Sequence, residues 1–276
     1  MGYLWGILLT AGLVIFFWRG QIYSLLVAIP LAALFYLLRE GSFGVFLLKC
    51  LLPAVALSLG IRHRRSPILA IFLGVIPHLL ILGFMVACWS DMVWLFKFEL
   101  GEMVGGISSQ AQLFGINANS LQGKIFRIGD FLAQLIFGFQ LLSSLFEVFL
   151  AYFLVEVVGG KLGWDVRKLP AFHLWHSKEG LGWVAVLSLV LLLVGGKLFG
   201  VISKNVLLVF GFGYALLGAA VVEWLFKKFK INFWIRTSFY LFVLITQIFS
   251  FALLSFLGFF DSWLDFRKLD KKSKTK

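Results

Sequence analysis

The chain alternates long apolar runs with short polar separators. We interpret eight of these runs as helices that cross a lipid bilayer, which takes about 20 apolar residues per helix. The first two are short, at 15 and 17 residues, and could instead be tilted into the membrane, lie partly at its interface or form a hairpin. The predicted segments are Leu4–Trp18, Ile22–Leu38, Ser42–Ile61, Pro67–Trp89, Phe131–Val158, Trp183–Ile202, Val206–Phe226 and Thr237–Phe260. Because backbone groups in hydrocarbon must hydrogen-bond within the protein, each segment is expected to be helical. The pattern therefore predicts an all-α fold, a polytopic membrane helical bundle with about eight transmembrane helices.

Two separators are too long to be simple turns. Residues Asp91–Asp130 and Gly159–Gly182 mix aromatic with charged side chains and lack the composition of a flexible linker. We expect both to form interfacial helices that lie on the bundle. The short separator Ser203-Lys204-Asn205 predicts a turn between two spans. No shift in composition divides the chain, so residues 1–270 are predicted to form a single transmembrane domain, followed by a disordered basic tail over 271–276.

The composition agrees with a lipid environment. Apolar residues make up 61% of the chain, charged residues 14%, and the mean hydropathy is +0.97. A soluble domain is about 45–50% apolar and about 25% charged, so an ordinary soluble fold and a secreted disulfide scaffold are excluded. The net charge of +12 is interpreted as loop and tail charge that orients the protein in the bilayer. The chain shows no basic face on a folded domain of the kind that indicates nucleic-acid binding.

Ionisable residues in the middle of predicted spans are candidate site residues, because a charge in lipid is costly. Lys49, His78 and Glu147 lie nearest the middle of their segments. Gln140 and Ser143 lie on or near the Glu147 face of the same predicted helix. Two interpretations stay open. One is a polar cavity that binds a small molecule, in which a Lys49–Glu147 pair would cancel charge. The other is a buried ion pair and polar contacts that hold helices together without a ligand.

Other ionisable residues lie near the ends of predicted spans. Glu156 precedes Lys161 by five residues, Glu223 precedes Lys227 by four, and Lys197 lies five residues before the end of its segment. Snorkelling of the long side chains or local pairs along a helix explain these positions.

A polar motif follows the last predicted span. Asp261 and Asp265 stand four residues apart, and Arg267 comes two residues later. We interpret this motif as a short interfacial helix with Asp261 at its N-cap. Trp263 and Phe266 would be buried on one side of that helix, with Arg267 at the lipid headgroups.

The chain carries no recognisable catalytic motif. His173 and His176 have HxxH spacing, but a metal site normally needs a third or fourth ligand. Serine-hydrolase, phosphate-binding-loop, CxxC and dinucleotide-binding fingerprints are absent from the sequence. We therefore predict a protein that is not an enzyme and holds no metal or cofactor.

The part of the chain from Leu169 onward carries a more specific pattern. Its elements are Leu169-Pro-Ala-Phe172 with Trp175, then Asn205, Gly213 and Gly218, and the string Gly258-Phe-Phe-Asp-Ser-Trp-Leu-Asp-Phe-Arg-Lys268. This part resembles the YybS-like family of bacterial integral membrane proteins. The resemblance implies a place in the bacterial inner membrane and a fold related to the substrate-binding S subunits of energy-coupling factor transporters. Such subunits bind vitamins or metal ions and dock on a separate ATP-driven module through an AxxxA-type face, whose spacing matches Ala28-Ile-Pro-Leu-Ala32.

Two functions are consistent with these features. The first is a small-molecule-binding transporter subunit with a central polar cavity, which would take a small hydrophobic or aromatic ligand and depend on a separate energising protein. The alternative is a non-transporting scaffold or assembly factor that presents its C-terminal interfacial helix and basic loops to a partner protein. We expect both termini in the cytoplasm because the C-terminal tail is basic, although basic residues divide almost evenly between the two sides.

Overall fold

The computed structural model describes residues 2–19, 30, 47–63, 66–113, 118–177 and 180–267. Regular structure within these ranges is helical throughout, which confirms the all-α prediction. The helices are α1 (Gly2–Arg19), α2 (Leu52–Arg62), α3 (Pro67–Ala87), α4 (Trp89–Leu113), α5 (Ala118–Gln134), α6 (Ile136–Lys161), α7 (Gly180–Val194), α8 (Lys197–Lys228) and α9 (Phe233–Leu264). A π-helical turn at Leu47–Leu51 leads into α2, and a 3₁₀ turn covers Phe172–Leu174.

Four of the described helices are long and apolar enough to cross a membrane. They are α3 over Pro67–Phe84, α6, α8 and α9, while the apolar helix α7 is shorter. The described part of the chain therefore has the architecture of a helical membrane protein. It contains four candidate spans, whereas the sequence predicts about eight in the whole chain. Apart from Pro30, the predicted span Ile22–Leu38 and the Ala28–Ala32 row lie outside the described residues, as does the tail over 271–276.

The chain divides into two compact units. The first comprises Met1–Ala133 and Gln140–Leu169, and the second comprises Gln134–Phe139 and Pro170–Lys276. In the first unit, α1 packs on α2 and α2 on α3, and their core also includes Val148 and Tyr152 of α6. In the second unit, α8 and α9 form the main packed pair and α7 lies against α8. The single domain over 1–270 stays a prediction, since two compact units do not decide whether each folds alone.

The predicted turn at Ser203-Lys204-Asn205 is wrong. The chain leaves helical geometry earlier, at Gly196 (φ −63°, ψ −175°), and α8 then runs without a break through these three residues. Ser203 and Asn205 are buried, and the Lys204 ammonium donates a 2.7 Å hydrogen bond to Oε1 of Gln134. These polar side chains make contacts between helices, so their polarity does not mark a loop.

The two long separators differ from each other. Residues Asp91–Asp130 fall within α4 and α5, apart from the undescribed positions 114–117, so they are helical as predicted; their place at the interface stays a prediction. The other separator, Gly159–Gly182, is not an interfacial helix over its described loop residues, which contain only the 3₁₀ turn. Helix α6 ends in a turn at Gly163, whose φ of +72° favours glycine. The following stretch to Pro170 has no regular secondary structure.

The predicted span Phe131–Val158 is also interrupted. Helix α5 ends at Gln134, Leu135 forms a turn, and α6 begins at Ile136. The Leu135 carbonyl accepts the first hydrogen bond of α6, from the Phe139 N–H at 3.0 Å. The break lies inside a mostly apolar run, where Gln134 is the one polar residue beside it, and a single glutamine does not predict a helix end.

Candidate functional site

A buried histidine and a buried glutamate meet in the first unit. His78 lies one residue past the middle of α3, and Glu147 lies within two residues of the middle of α6. Nε2 of His78 is 3.9 Å from Oε2 of Glu147, and the two side chains are only 2% and 7% exposed. Both helices are candidate spans, so the pair lies near the middle of each span. The sequence predicted both residues as candidates, and the structure brings them together.

A close approach of α3 to α6 positions this pair. A Cβ atom added to Gly74 would lie 2.6 Å from Cγ1 of Val148, so the glycine allows the two helices to come into contact. His78 follows Gly74 by one helical turn and therefore lies on the same face of α3. Glu147 directly precedes Val148. The packing of Gly74 on Val148 thus sets the distance between the imidazole and the carboxylate.

The pair has unused hydrogen-bonding capacity. Both ring nitrogens of His78 and Oε1 of Glu147 are buried and have no hydrogen-bond partner among the described residues. The separation of 3.9 Å is too long for a direct hydrogen bond. The large majority of buried side-chain polar atoms have a hydrogen-bond partner. Three such atoms grouped at mid-span are therefore unusual and mark this place as a candidate binding site.

Pro77 adds a further polar group beside His78. This proline lies inside α3 and is buried. Since proline has no N–H, the carbonyl of Leu73, four residues earlier, loses its helical donor. The Leu73 carbonyl, about one turn from His78, is thus a backbone acceptor to which residue 77 cannot donate.

The polar residues that precede Glu147 form hydrogen bonds within their own helix. Ser143 and Ser144 each donate a 2.9 Å hydrogen bond to the carbonyl of Gln140. The amide of Gln140 lies 3.5 Å from the Ser144 hydroxyl. Gln140 and Ser143 are half-buried and Ser144 is buried. Of the predicted stripe on α6, Glu147 is the member left with an unpaired oxygen.

Lys49 occupies the π-helical turn before α2 and is half-buried. Oε1 of Glu147 accepts no hydrogen bond, so Lys49 does not bond that oxygen. The predicted Lys49–Glu147 charge pair stays a prediction. Turns of π-helix often occur at functional sites, which keeps Lys49 among the candidates.

Two carboxylates near span ends have partners other than those predicted. Oε2 of Glu156 accepts a 3.0 Å hydrogen bond from the Leu169 N–H, which holds the loop that follows α6. Glu223 lies 3.4 Å from Arg236 and also accepts a bond from the Tyr240 hydroxyl. Pairs with Lys161 or Lys227 are not needed to explain them. Lys197 is exposed at the first position of α8, so it lies at the start of a candidate span and not five residues before the end of one.

The C-terminal motif does not begin a separate helix. Asp261 lies in the last turn of α9, which ends at Leu264, and Asp265 adopts a left-handed conformation (φ 41°, ψ 55°). The predicted N-cap role of Asp261 is therefore wrong. One turn before Asp261, Gly258 packs directly on the backbone of α8 at Tyr214 and Gly218.

Arg267 folds back and closes the motif. Its guanidinium donates to Oδ2 of Asp261 at 2.6 Å and 3.1 Å. It also donates to the carbonyls of His173 and Trp175 at 2.8 Å and 2.6 Å. Asp261 and Arg267 are both buried, so these charges hold the second unit together and are not displayed to a partner. Trp263 and Phe266 are exposed, and Trp263 lies against the ring of Trp183.

The HxxH histidines are engaged separately. Nδ1 of His173 is 2.9 Å from Nζ of Lys227, and Nδ1 of His176 is 3.1 Å from the Leu174 carbonyl. Burial, with Lys227 second, lowers the pKa of His173 below its ordinary 6.5. Within the described residues, no group of three or more potential metal ligands lies together.

Comparison with known proteins agrees with the helical membrane architecture. No curated protein and no solved structure matches the chain. A family match covers residues from both units, whereas the motifs that resemble the YybS-like family begin at Leu169. Residues 1–262 match the family described as "Predicted membrane protein (DUF2232)", and the chain belongs to this family.

Proposed function

We propose that this protein is a membrane-embedded, small-molecule-binding subunit of transporter type, with the His78–Glu147 pair as its binding site. The observation that carries the proposal is the set of three buried atoms without hydrogen-bond partners, namely Nδ1 and Nε2 of His78 and Oε1 of Glu147. Leaving such groups unpaired in a low-dielectric interior is costly. A ligand that supplies the missing hydrogen bonds would recover that cost.

The chemistry of the pair narrows the ligand class. A glutamate carboxylate only accepts hydrogen bonds, while a neutral imidazole accepts through one nitrogen and donates through the other. The surrounding core is apolar and includes Leu57, Val75 and Ala151. The expected ligand is therefore a small hydrophobic or aromatic molecule with an N–H or ammonium head that donates to Glu147. Lys49 is proposed as a further residue of this site.

The proposal is for a binding role and not for catalysis. Ser143 and Ser144 donate their hydroxyl protons to the Gln140 carbonyl, and His78 has no bonded nucleophile to activate. The sequence contains no nucleotide-binding loop. Any active transport would accordingly draw energy from a separate protein, as the resemblance to the YybS-like family and its implied relation to S subunits suggest. We place the protein in the bacterial inner membrane with both termini in the cytoplasm.

Native mass spectrometry of the detergent-released protein tests this proposal. We expect a discrete small-molecule adduct on the wild type, and loss of that adduct in Glu147→Gln, which keeps the side-chain size but removes the charge. Glu156→Gln is the matched control on the same helix, because its carboxylate already accepts the Leu169 N–H. That control should retain the adduct.

Two results would contradict the proposal. One is a wild-type protein that carries only heterogeneous lipid, or nothing. The other is a discrete adduct that Glu147→Gln keeps at wild-type occupancy. If Glu147→Gln fails to elute as a folded protein, His78→Gln provides the same test from the other side of the pair.

A further inference from the structure

The backbone of α9 breaks in the middle of a candidate span. Gln247 has φ 28° and ψ −91°, which is not helical, although helix continues on both sides. Such a residue interrupts the hydrogen bonds between positions four apart that cross it. In a membrane, backbone that departs from helix is tolerated where protein or a water-filled cavity covers it. The break therefore calls for a covering surface.

The side chain of Gln247 also requires a partner, in this case one that forms hydrogen bonds. It is exposed and makes no hydrogen bond with any residue in the described part of the chain. Its polar neighbours differ, because Thr246 donates to the Phe242 carbonyl at 2.7 Å and also bonds the Ser250 hydroxyl. The amide of Gln247 thus has no hydrogen-bond partner in the described part of its own chain.

The rest of this helix face is suited to lipid. The segment Thr237–Phe260 contains no charged residue. Only 11% of the α9 span is buried, against 28% to 33% in the other three candidate spans. Lipid tails cover exposed side chains such as Ile245 and Ile248 without cost. The amide is the group on this face that lipid cannot satisfy.

We propose that α9 associates with α9 of a second copy of this chain, through a hydrogen-bonded contact between the two Gln247 side chains. A primary amide both donates and accepts, so it complements its own copy. A two-fold axis along the membrane normal places both glutamines at the same depth. A different protein would need its own polar residue at that depth. Side-chain hydrogen bonds of this kind join transmembrane helices, and the neutral face adds no repulsion between copies.

Energy transfer between donor- and acceptor-labelled full-length chains in lipid vesicles tests the proposal. Measured over a range of protein-to-lipid ratios, the wild type should dimerise. Gln247→Leu should weaken association about three- to twenty-fold, the range that one interhelical hydrogen bond supplies. Gln247→Asn, which keeps an amide, should associate more strongly than the leucine variant. Leu216→Ala removes an exposed apolar group from α8 and serves as the matched control with unchanged association.

Disulfide cross-linking provides a second readout that leaves Gln247 intact. In a chain carrying Cys50→Ala and Cys88→Ala, Ile248→Cys should form a cross-linked dimer on oxidation, whereas Leu216→Cys on α8 should not. A wild type that stays monomeric at every protein-to-lipid ratio would overturn the proposal. Equal association of wild type and Gln247→Leu would do so too. Neither result depends on ligand binding at His78 and Glu147.

Discussion

Asn205 caps the first turn of α6 by accepting a 2.6 Å hydrogen bond from the Gly138 N–H through its side-chain oxygen. Its amide nitrogen donates to the carbonyl of Gln134, the last residue of α5, at 2.6 Å. The same nitrogen lies 2.8 Å from the Val201 carbonyl within α8. The break at Leu135 leaves backbone groups without helical partners on both sides. One side chain from α8 satisfies a group of each kind.

Replacing Asn205 should therefore destabilise the second unit. Asn205→Leu keeps the approximate volume but leaves the Gly138 N–H and the Gln134 carbonyl buried and unpaired. We expect a loss of about 1–3 kcal/mol in the free energy of unfolding for each orphaned group. Denaturant titration in detergent micelles measures this loss. Ser203→Ala, two residues away in a buried position, is the control, since its hydroxyl has no partner in the described residues.

The Asp261–Arg267 pair makes a second prediction about stability. Arg267→Ala leaves the Asp261 carboxylate buried without a counter-charge and frees the carbonyls of His173 and Trp175. Breaking a buried pair from one side costs about 3–5 kcal/mol, and thermal unfolding should show this loss. Asp265→Asn is the control, because asparagine also accepts the left-handed conformation at that position. The double variant Asp261→Ala with Arg267→Met should recover part of the loss. If the double variant is as unstable as Arg267→Ala, the uncompensated charge is not the cause.

Sequence patterns predicted the helical class because hydropathy reports directly on which segments lipid can cover. They also selected His78 and Glu147, since an ionisable residue in mid-span stands out against apolar neighbours. The pairing of the two residues was not predictable, because it depends on Gly74 meeting Val148 between helices far apart in the chain. A lone glycine in a glycine-rich sequence carries no signal of that contact.

The errors have a common physical cause. Polar residues that interrupt an apolar run favour a turn at Ser203, Lys204 and Asn205, yet here their polarity serves contacts between helices. Asp261 was interpreted as an N-cap because it follows the last apolar run, yet its partner Arg267 lies later in the chain. Gln247 was not predicted as a candidate, since a single amide within an apolar run does not indicate a function. Local pattern cannot distinguish a polar residue that meets water from one that meets another helix.

The contact between His173 and Lys227 makes the stability of the fold sensitive to pH. Lysine can only donate, so Nδ1 of His173 accepts and the neutral ring carries its proton on Nε2. Burial and the Lys227 ammonium lower the pKa of His173, Arg267 acts in the same direction, and Glu223 opposes it. Glu223 is itself paired with Arg236, and Arg267 with Asp261. The folded protein thus binds this proton less readily than the unfolded chain does.

The sign of the effect follows from that difference. Stability is fully present above the unfolded pKa of about 6.5 and declines as the pH falls through the lower folded value. Thermal unfolding midpoints measured between about pH 5 and pH 8 should decrease toward the acid end. His173→Gln should flatten that dependence, whereas His176→Gln, in the same loop and exposed, should not. Equal slopes for the wild type and His173→Gln would refute this assignment.

Because Gly74 contacts Val148, replacing it by alanine should have a different effect from replacing another glycine of α3. A methyl group at Gly74 would lie 2.6 Å from Cγ1 of a fully buried valine, and overpacking of this kind costs about 1–3 kcal/mol. Gly83 is the matched control on the same helix, since a Cβ atom there meets nothing within 4 Å. Gly83→Ala should be neutral or stabilising by up to about 1 kcal/mol, because alanine reduces the entropy of the unfolded chain.

Gly74→Ala should also push α3 away from α6 and lengthen the distance from His78 to Glu147. Under the proposed function, it should therefore reduce adduct retention in native mass spectrometry while Gly83→Ala keeps the wild-type level. Equal unfolding midpoints for the two alanine variants would show that the approach of α3 to α6 does not depend on Gly74.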